Sequence, residues 1–311
     1  MDGNRRFARS HQIETVEGHN LGFEALAKVL EVCYKSGVEV VTIYAFSIEN
    51  FKRSKYEVDA LMDMAKVKLL QLSQHGDLLE RYGASIRILG QRDLVKQDVL
   101  EAIKQAVELT SHNKRCILNV CFPYTSRDEL TTAIRNTVTD FSKPVLETQR
   151  SFSTSHITQR IRSHRDSSSS QRDSSPSSSS TSDHEIEDSA SSTTTLHPDT
   201  PPSQDLRISN GAVYPDPESI TPKTIDEHLY TAGAPPLDLF VRTSGVRRLS
   251  DFMLWQCHQK TEIVFLKCLW PEFDLWYFLP VLVEWQWRQK KMAQKDGALK
   301  ALIGARAVEA K

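Results

Sequence analysis

Val38-Glu39-Val40-Val41-Thr42-Ile43-Tyr44-Ala45 is a β-branched run ending in an aromatic, and its reading decides the fold class. Branched side chains favour an extended strand. In the stretch just before it, residues 21–34, apolar residues recur at helical spacing. The alternation repeats along the chain. Residues 57–79 read as helix, 84–89 as strand, 98–109 as helix, 116–122 as strand, 127–138 as helix, and 237–241 and 262–266 as strands. Strands separated by helices imply an α/β fold with a single, mostly parallel sheet flanked by helices. In such sheets ligands bind beyond the carboxyl ends of the strands, which is where Ser47, Asn50, Arg53 and Arg242 fall.

Two basic constellations stand out against this frame. The first is Met1-Asp2-Gly3-Asn4-Arg5-Arg6, followed by Gly18-His19. An Asp-Gly-Asn turn entering a helix presents free backbone N–H groups to an anion, and the two guanidinium groups add charge-assisted donors. The carboxylate of Asp2 beside them is placed to hold a divalent cation against phosphate oxygens. The second runs from Asp238 through Arg242-Thr243-Ser244-Gly245-Val246-Arg247-Arg248-Leu249-Ser250-Asp251-Phe252. Here an apolar strand delivers Arg242 to a polar loop with Arg248 and Ser250, which makes a second anion site.

Taken with Tyr44-Ala45-Phe46-Ser47-Ile48-Glu49-Asn50-Phe51-Lys52-Arg53 between them, these motifs resemble the cis-prenyltransferase family, the undecaprenyl and dehydrodolichyl diphosphate synthases. The resemblance is nearest to the eukaryotic dehydrodolichyl type of catalytic subunit. It continues through residues 57–63, 118–122, Leu254-Trp255-Gln256 and Leu269-Trp270-Pro271-Glu272, and covers the chain to about Trp287 apart from one insertion. It implies one catalytic domain over residues 1–139 and 206–287, with 288–311 as a helical tail.

By that resemblance, Gly3, Asn4, Arg6, His19 and Ser47 hold an allylic, farnesyl-type diphosphate, and Arg242, Arg248 and Ser250 hold isopentenyl diphosphate. Asn50 and Arg53 orient the reacting ends. Asp2 is the essential carboxylate acting through Mg2+, with Glu262 as a second metal-ligand position. The implied activity is cis-prenyl chain elongation, giving dehydrodolichyl diphosphate for dolichol synthesis and protein glycosylation. A non-catalytic scaffold subunit of the same fold is the alternative. The growing tail needs a dry apolar channel, expected along Val58, Leu61, Met62, Ala65, Leu69 and Leu72, with Phe46, Leu118 and Val120. No two Asp residues are adjacent, which excludes the Asp-rich chemistry of trans-prenyltransferases.

The chain departs from the family pattern in places. The family places an apolar strand before the Asp-Gly-Asn turn, so a central strand is expected to be missing at this N-terminus. Thr15 stands where bacterial members have Arg, and Val246 and Arg247 stand where many have Glu and a neutral or His residue. No Arg-x-Gly closes the chain. Homomeric members lend that motif to a neighbouring site, so the resemblance implies a heteromer with a Nogo-B-receptor-type subunit. The Trp-rich run 270–287 is more apolar than a solvated helix requires, which suits a subunit interface.

The bulk properties agree. The chain has 311 residues, 39% hydrophobic, enough for a sizeable core, and a formal charge of -1 gives no reason to expect nucleic acid. Cys33, Cys116, Cys121, Cys257 and Cys268 contain no Cys-x-x-Cys pair and read as reduced thiols. No apolar run is long enough to span a bilayer, so the implied site of action, the cytosolic face of the endoplasmic reticulum membrane, calls for peripheral contact. Residues 140–205 change composition abruptly: 11 of the 17 residues from Asp166 to Ser182 are Ser. Such a stretch cannot offset its chain entropy by burial and is expected to be a disordered insertion.

Overall fold

The computed structural model of the chain describes residues 1–74, 78–144, 207–209, 212–258 and 260–309. The Ser-rich insertion lies outside the described residues from 145 to 206. Residues Met1–Thr137 and Thr221–Lys311 form one compact unit, and Val138–Ile220 form a second.

Helix α1 (Asn4–Ser10) is followed by α2 (Thr15–Lys35), which delivers strand β1 (Val40–Tyr44). A short 3-10 turn, Ile48–Lys52, leads into α3 (Lys55–Ser73) and α4 (Leu78–Tyr82). The single helix expected over 57–79 is thus interrupted, three residues before Gly76, where helix propensity is poorest. Strand β2 (Ala84–Leu89), α5 (Gln97–Thr110), β3 (Cys116–Cys121) and α6 (Ser126–Phe141) follow. In the second unit β4 (Arg207–Ser209) and β5 (Ala212–Tyr214) pair antiparallel. The first unit resumes with α7 (Pro222–His228), β6 (Leu239–Arg242), β7 (Glu262–Phe265) and the long α8 (Leu275–Glu309).

The fold is α/β, with parallel strands flanked by helices. Strands β1, β3 and β2 lie in that order, all parallel, with Val40 opposite Ile117 and Ala84 opposite Cys116. Strands β6 and β7 form a second parallel ladder. Among the described residues no strand hydrogen-bonds β1 to β6. What lies beside β6 is Asp2: its amide donates to Thr243 Oγ1 (3.2 Å), and its carbonyl accepts from Thr243 Oγ1 (2.9 Å) and from the Trp270 amide (3.0 Å).

Period-two alternation sorts β3 between two environments. Leu118 and Val120 join Ile43, Ile86 and Ile88 in an apolar cluster with Leu26 and Leu30 of α2, Met62, Leu69 and Leu72 of α3, and Val99 and Ile103 of α5. Cys121 instead joins Leu89 and Tyr124, against Tyr44, Tyr230 and Phe252. The carboxyl ends of the parallel strands are packed by these clusters, and the turn carrying Ser47, Asn50 and Arg53 leaves from β1.

Candidate functional site

The turn at residues 2–4 depends on glycine. Gly3 adopts φ 115°, and a Cβ there would come within 3.0 Å of Leu269. Asn4 then starts α1, which sits on α2 where Gly18 and Gly22 leave room. A Cβ at Gly18 would meet the Asn4 carbonyl at 2.7 Å, and one at Gly22 would meet Asn4 Oδ1 at 2.5 Å. This close approach brings Asn4 Nδ2 to 3.2 Å from His19 Nδ1. Burial first, then the Arg53 charge, push the His19 pKa down to about 4, with Glu57 opposing. The ring is therefore neutral near pH 7, with Nδ1 accepting from the amide. His19 Nε2 and Asn4 Oδ1 are buried with no partner, which leaves unspent polar groups in the cradle.

The two basic constellations meet at Asp2. Its Oδ2 accepts from Arg242 Nη2 (2.8 Å) and Ser244 Oγ (2.8 Å), with Arg6 Nη2 at 3.6 Å. Burial alone would raise this carboxyl, but the hydrogen bonds from Arg242 and Ser244 and the charges of Arg242 and Arg6 outweigh it and hold the pKa below the usual carboxylate value. Arg6 Nη1 also donates to the Ser244 carbonyl (3.2 Å). Arg242 is only 8% exposed and spends its other end on Ser250 Oγ (2.6 Å) and the Arg248 carbonyl, while its Nε is buried without a partner. Arg248, exposed, donates from Nε to Ser250 Oγ (3.2 Å). The loop takes left-handed conformations at residues that carry side chains: Ser244 (φ 84°), Ser250 (52°), Asp251 (59°) and Met253 (48°). Backbone strain of this kind collects at functional sites.

The turn after β1 is tied to α1 through Glu57. Ser47 caps the 3-10 turn by accepting from the Glu49 amide (3.2 Å). Arg53 donates to Asn50 Oδ1 (2.9 Å) and to Glu57 Oε1 (2.8 Å), and Arg5 Nε stands 3.5 Å from the same Glu57 oxygen. Asp2, Asn4, Arg6, His19, Asn50, Arg53, Arg242, Arg248 and Ser250 are thus linked into one polar region in which cations outnumber acids, while Ser47 stands at the start of the Asn50 turn and touches none of the others outside it. That arrangement can bind two polyanionic groups side by side.

Three contributors were not singled out from sequence. Thr243 and Ser244 hold Asp2, and Glu57 ties the Arg53 turn to α1 through Arg5, which the sequence marks as an anion donor and which here pairs with a carboxylate. Only the Arg53-to-Glu57 spacing carries a sequence signal, as an i,i+4 pair.

Glu262 requires correction. It stands opposite Leu239 at the start of β7, whereas Arg242 is opposite Phe265 at the other end. Three residues of parallel strand, about 10 Å, separate the two levels. Its carboxylate pairs with Arg288 at 3.0 Å. The structure does not bring Glu262 to Asp2. Among the described residues no cluster of three or more His, Cys, Asp or Glu could hold a metal ion. The side chains expected to line a channel pack into the apolar cluster, with Phe46, Met62, Leu69, Leu72, Leu118 and Val120 buried and Val58, Leu61 and Ala65 partly buried.

Residues 1–293 match the family described as putative undecaprenyl diphosphate synthase. The chain is 41% identical over 286 residues to a dehydrodolichyl diphosphate synthase complex subunit of Schizosaccharomyces pombe, covering 92% of this chain and 82% of that protein. It is 35% identical over 286 residues to the corresponding Homo sapiens subunit, covering 92% of this chain and 65% of that one. Among solved structures, lavandulyl diphosphate synthase from Lavandula x intermedia, in complex with dimethylallyl diphosphate, superposes with a TM-score of 0.61 at 22% identity over 92% of each chain. A probable undecaprenyl diphosphate synthase from Campylobacter jejuni gives 0.52 at 20% identity, over 86% of this chain and 89% of that one. At those identities the structural likeness is one of fold.

Proposed function

Because the chain belongs to the putative undecaprenyl diphosphate synthase family, the cis-prenyltransferases, we propose that it elongates a farnesyl-type diphosphate with isopentenyl diphosphate to make dehydrodolichyl diphosphate, the precursor of dolichol for protein glycosylation. The observation that carries this reading is the convergence of both basic constellations on one carboxylate, Asp2. A scaffold subunit has no physical need for two adjoining anion sites. The catalytic domain is assigned to residues 1–139 and 206–287.

In the reaction the allylic C–O bond breaks, C4 of isopentenyl diphosphate bonds to the allylic carbon, and a proton leaves C2 as a cis double bond forms. Gly3, Asn4, Arg6, His19 and Ser47 receive the allylic diphosphate. Arg248 and Ser250 receive the other, with Arg242 fixing both. Asn50 and Arg53 orient the two ends. Excess positive charge around both groups stabilises the departing diphosphate most as its charge develops. Mg2+ fits the donor set: every recorded contact of the Asp2 carboxylate falls on Oδ2, and one carboxylate with substrate phosphate oxygens suffices for this ion. Bound there by Asp2, it would supply further charge to the leaving group.

We also assign the chain a partner of the same fold, of the Nogo-B-receptor type, that brings a C-terminal Arg-x-Gly. This is supported by the phrase "complex subunit" in the names of the fungal and human relatives. It is also supported by an uncovered apolar stripe on α8: Trp276 is 82% exposed, Val283 56% and Trp287 60%. Among the described residues no helix is long and apolar enough to cross a membrane. We place the complex peripherally on the cytosolic face of the endoplasmic reticulum membrane, where its product must go.

The test is incorporation of labelled isopentenyl diphosphate onto farnesyl diphosphate with Mg2+ and the co-expressed partner. Long polyprenyl diphosphates are the expected products. Binding of both diphosphates without any product would replace this reading by the scaffold.

A further inference from the structure

We propose that Asp251 is a positioning residue that fixes Ser250 and Arg248 for isopentenyl diphosphate by clamping their loop to the N-terminus of α6. The inference rests on the assignment of that diphosphate to Arg248 and Ser250.

Asp251 grips α6 at three points. Its Oδ1 accepts from the Arg127 amide (2.9 Å), its Oδ2 from Arg127 Nε (2.7 Å), and its carbonyl from the Ser126 amide (2.8 Å). The two backbone N–H groups, of Ser126 and Arg127, belong to the first turn of a 16-residue helix, where no intrahelical acceptor exists and an anion is favoured. The Asp251 side chain is only 14% exposed, whereas that of Arg127 is 72% exposed, so the carboxylate is anchored on the protein side and the guanidinium stays open to solvent. A second tie follows, since Ser126 Oγ accepts from the Leu254 amide (3.0 Å). Between the two ties Phe252 stacks on Tyr44, with ring centroids 4.7 Å apart and planes 10° apart.

The clamp matters because of what it restrains. Ser250 and Asp251 both hold positive φ, a conformation that Asp tolerates but that Ser abandons unless its surroundings impose it. Ser250 Oγ must stay between Arg242 Nη1 and Arg248 Nε to present both groups on one side. Arg127 also reaches toward Glu49, 3.8 Å away, on the 3-10 turn that carries Asn50. One ion pair therefore registers the isopentenyl subsite against the turn that orients the reacting ends.

The experiment is calorimetric titration of the full chain, with its co-purifying partner, by isopentenyl diphosphate alone and by farnesyl diphosphate alone. Asp251→Ala is expected to weaken isopentenyl diphosphate about tenfold or more and to leave farnesyl diphosphate within about twofold. Asp251→Asn, whose amide oxygen still caps the Arg127 amide, is expected to fall between, and keeps the test open if the alanine variant does not fold. Isopentenyl affinity within twofold of the unmodified protein in both variants, or equal loss for both ligands, overturns the clamp. Arg248→Ala separates the two levels. If it too leaves isopentenyl affinity unchanged, the subsite assignment itself has failed. If it weakens that affinity while the Asp251 variants do not, only the clamp is lost.

Discussion

Arg242 and Asp2, 240 positions apart in sequence, meet across 2.8 Å and are the point at which the two basic segments of the chain come together. Arg242 is buried and Asp2 is half-exposed, so the pair is worth less to stability than a fully desolvated one. We expect Asp2→Ala to cost only about 1 kcal/mol of stability on that ground. Its effect on Mg2+-dependent turnover should be a loss of about 100-fold or more, as for other groups that stabilise developing charge. Allylic diphosphate binding should persist through Arg6. Near-normal turnover in steady-state assays would remove Asp2 from the mechanism.

Arg248 and Arg242 should separate by effect. Arg248 is exposed, so Arg248→Ala should leave the melting temperature unchanged and raise the KM for isopentenyl diphosphate, a loss of about 2 to 3 kcal/mol for a charge-assisted contact. Arg242→Ala should raise the same KM and also destabilise the fold, because it strips donors from Asp2 and Ser250 together. A rise in the allylic KM instead would mean that the two anion sites are assigned in reverse.

Glu129 is fully buried and accepts from Tyr124 Oη, Gln256 Nε2 (3.0 Å) and the Tyr230 amide (3.0 Å). Burial raises its pKa, while these donors pull the other way. Glu129→Gln would set an N–H against a donor wherever the amide points. We expect a stability loss of about 1 to 3 kcal/mol in urea titration. An unchanged midpoint would show that the site accepts an amide.

His19 gives a pH signature. Its pKa is lowered from 6.5 to about 4 in the folded chain, so below 6.5 the unfolded state binds the extra proton first. Its contribution to stability is therefore complete above 6.5 and is lost as pH falls toward 4. Across that window His19→Gln should flatten the slope of denaturation midpoint against pH. Parallel slopes in the two proteins would contradict the buried neutral ring.

The α8 stripe makes the partner testable. Trp287→Glu places a charge in an apolar contact without touching the diphosphate region, and should abolish co-purification of the partner while the chain alone remains folded. Undiminished complex formation would put the interface elsewhere.

Much of this was legible in the residues. β1 and β3 announce themselves because strands covered on both sides demand branched apolar runs, and Asp2, Arg6, Arg242 and Arg248 are marked by turn chemistry beside fixed cations. Ser244 and Glu57 were not, because their importance lies in contacts closed by the tertiary fold rather than in periodicity. Glu262 carried a legible warning: the strand read over 262–266 already puts it at the amino end, away from the carboxyl ends where such sheets hold ligands, and there the structure pairs it with Arg288. The break between α3 and α4 shows the limit of reading a helix through a glycine.

The spaces at Gly18 and Gly22 have a consequence for inherited variation. Neither glycine is among the residues assigned to a diphosphate, yet one added methyl would push against Asn4 at either position, with Ala8 also in the way at Gly18 and Trp270 at Gly22, and so shift the first turn of α1. A conservative Gly→Ala change on α2 would then surface as a weak-affinity allele, abundant and folded but starved at ordinary substrate levels. Raising the precursor supply would rescue such an allele where it would do nothing for one that fails to fold.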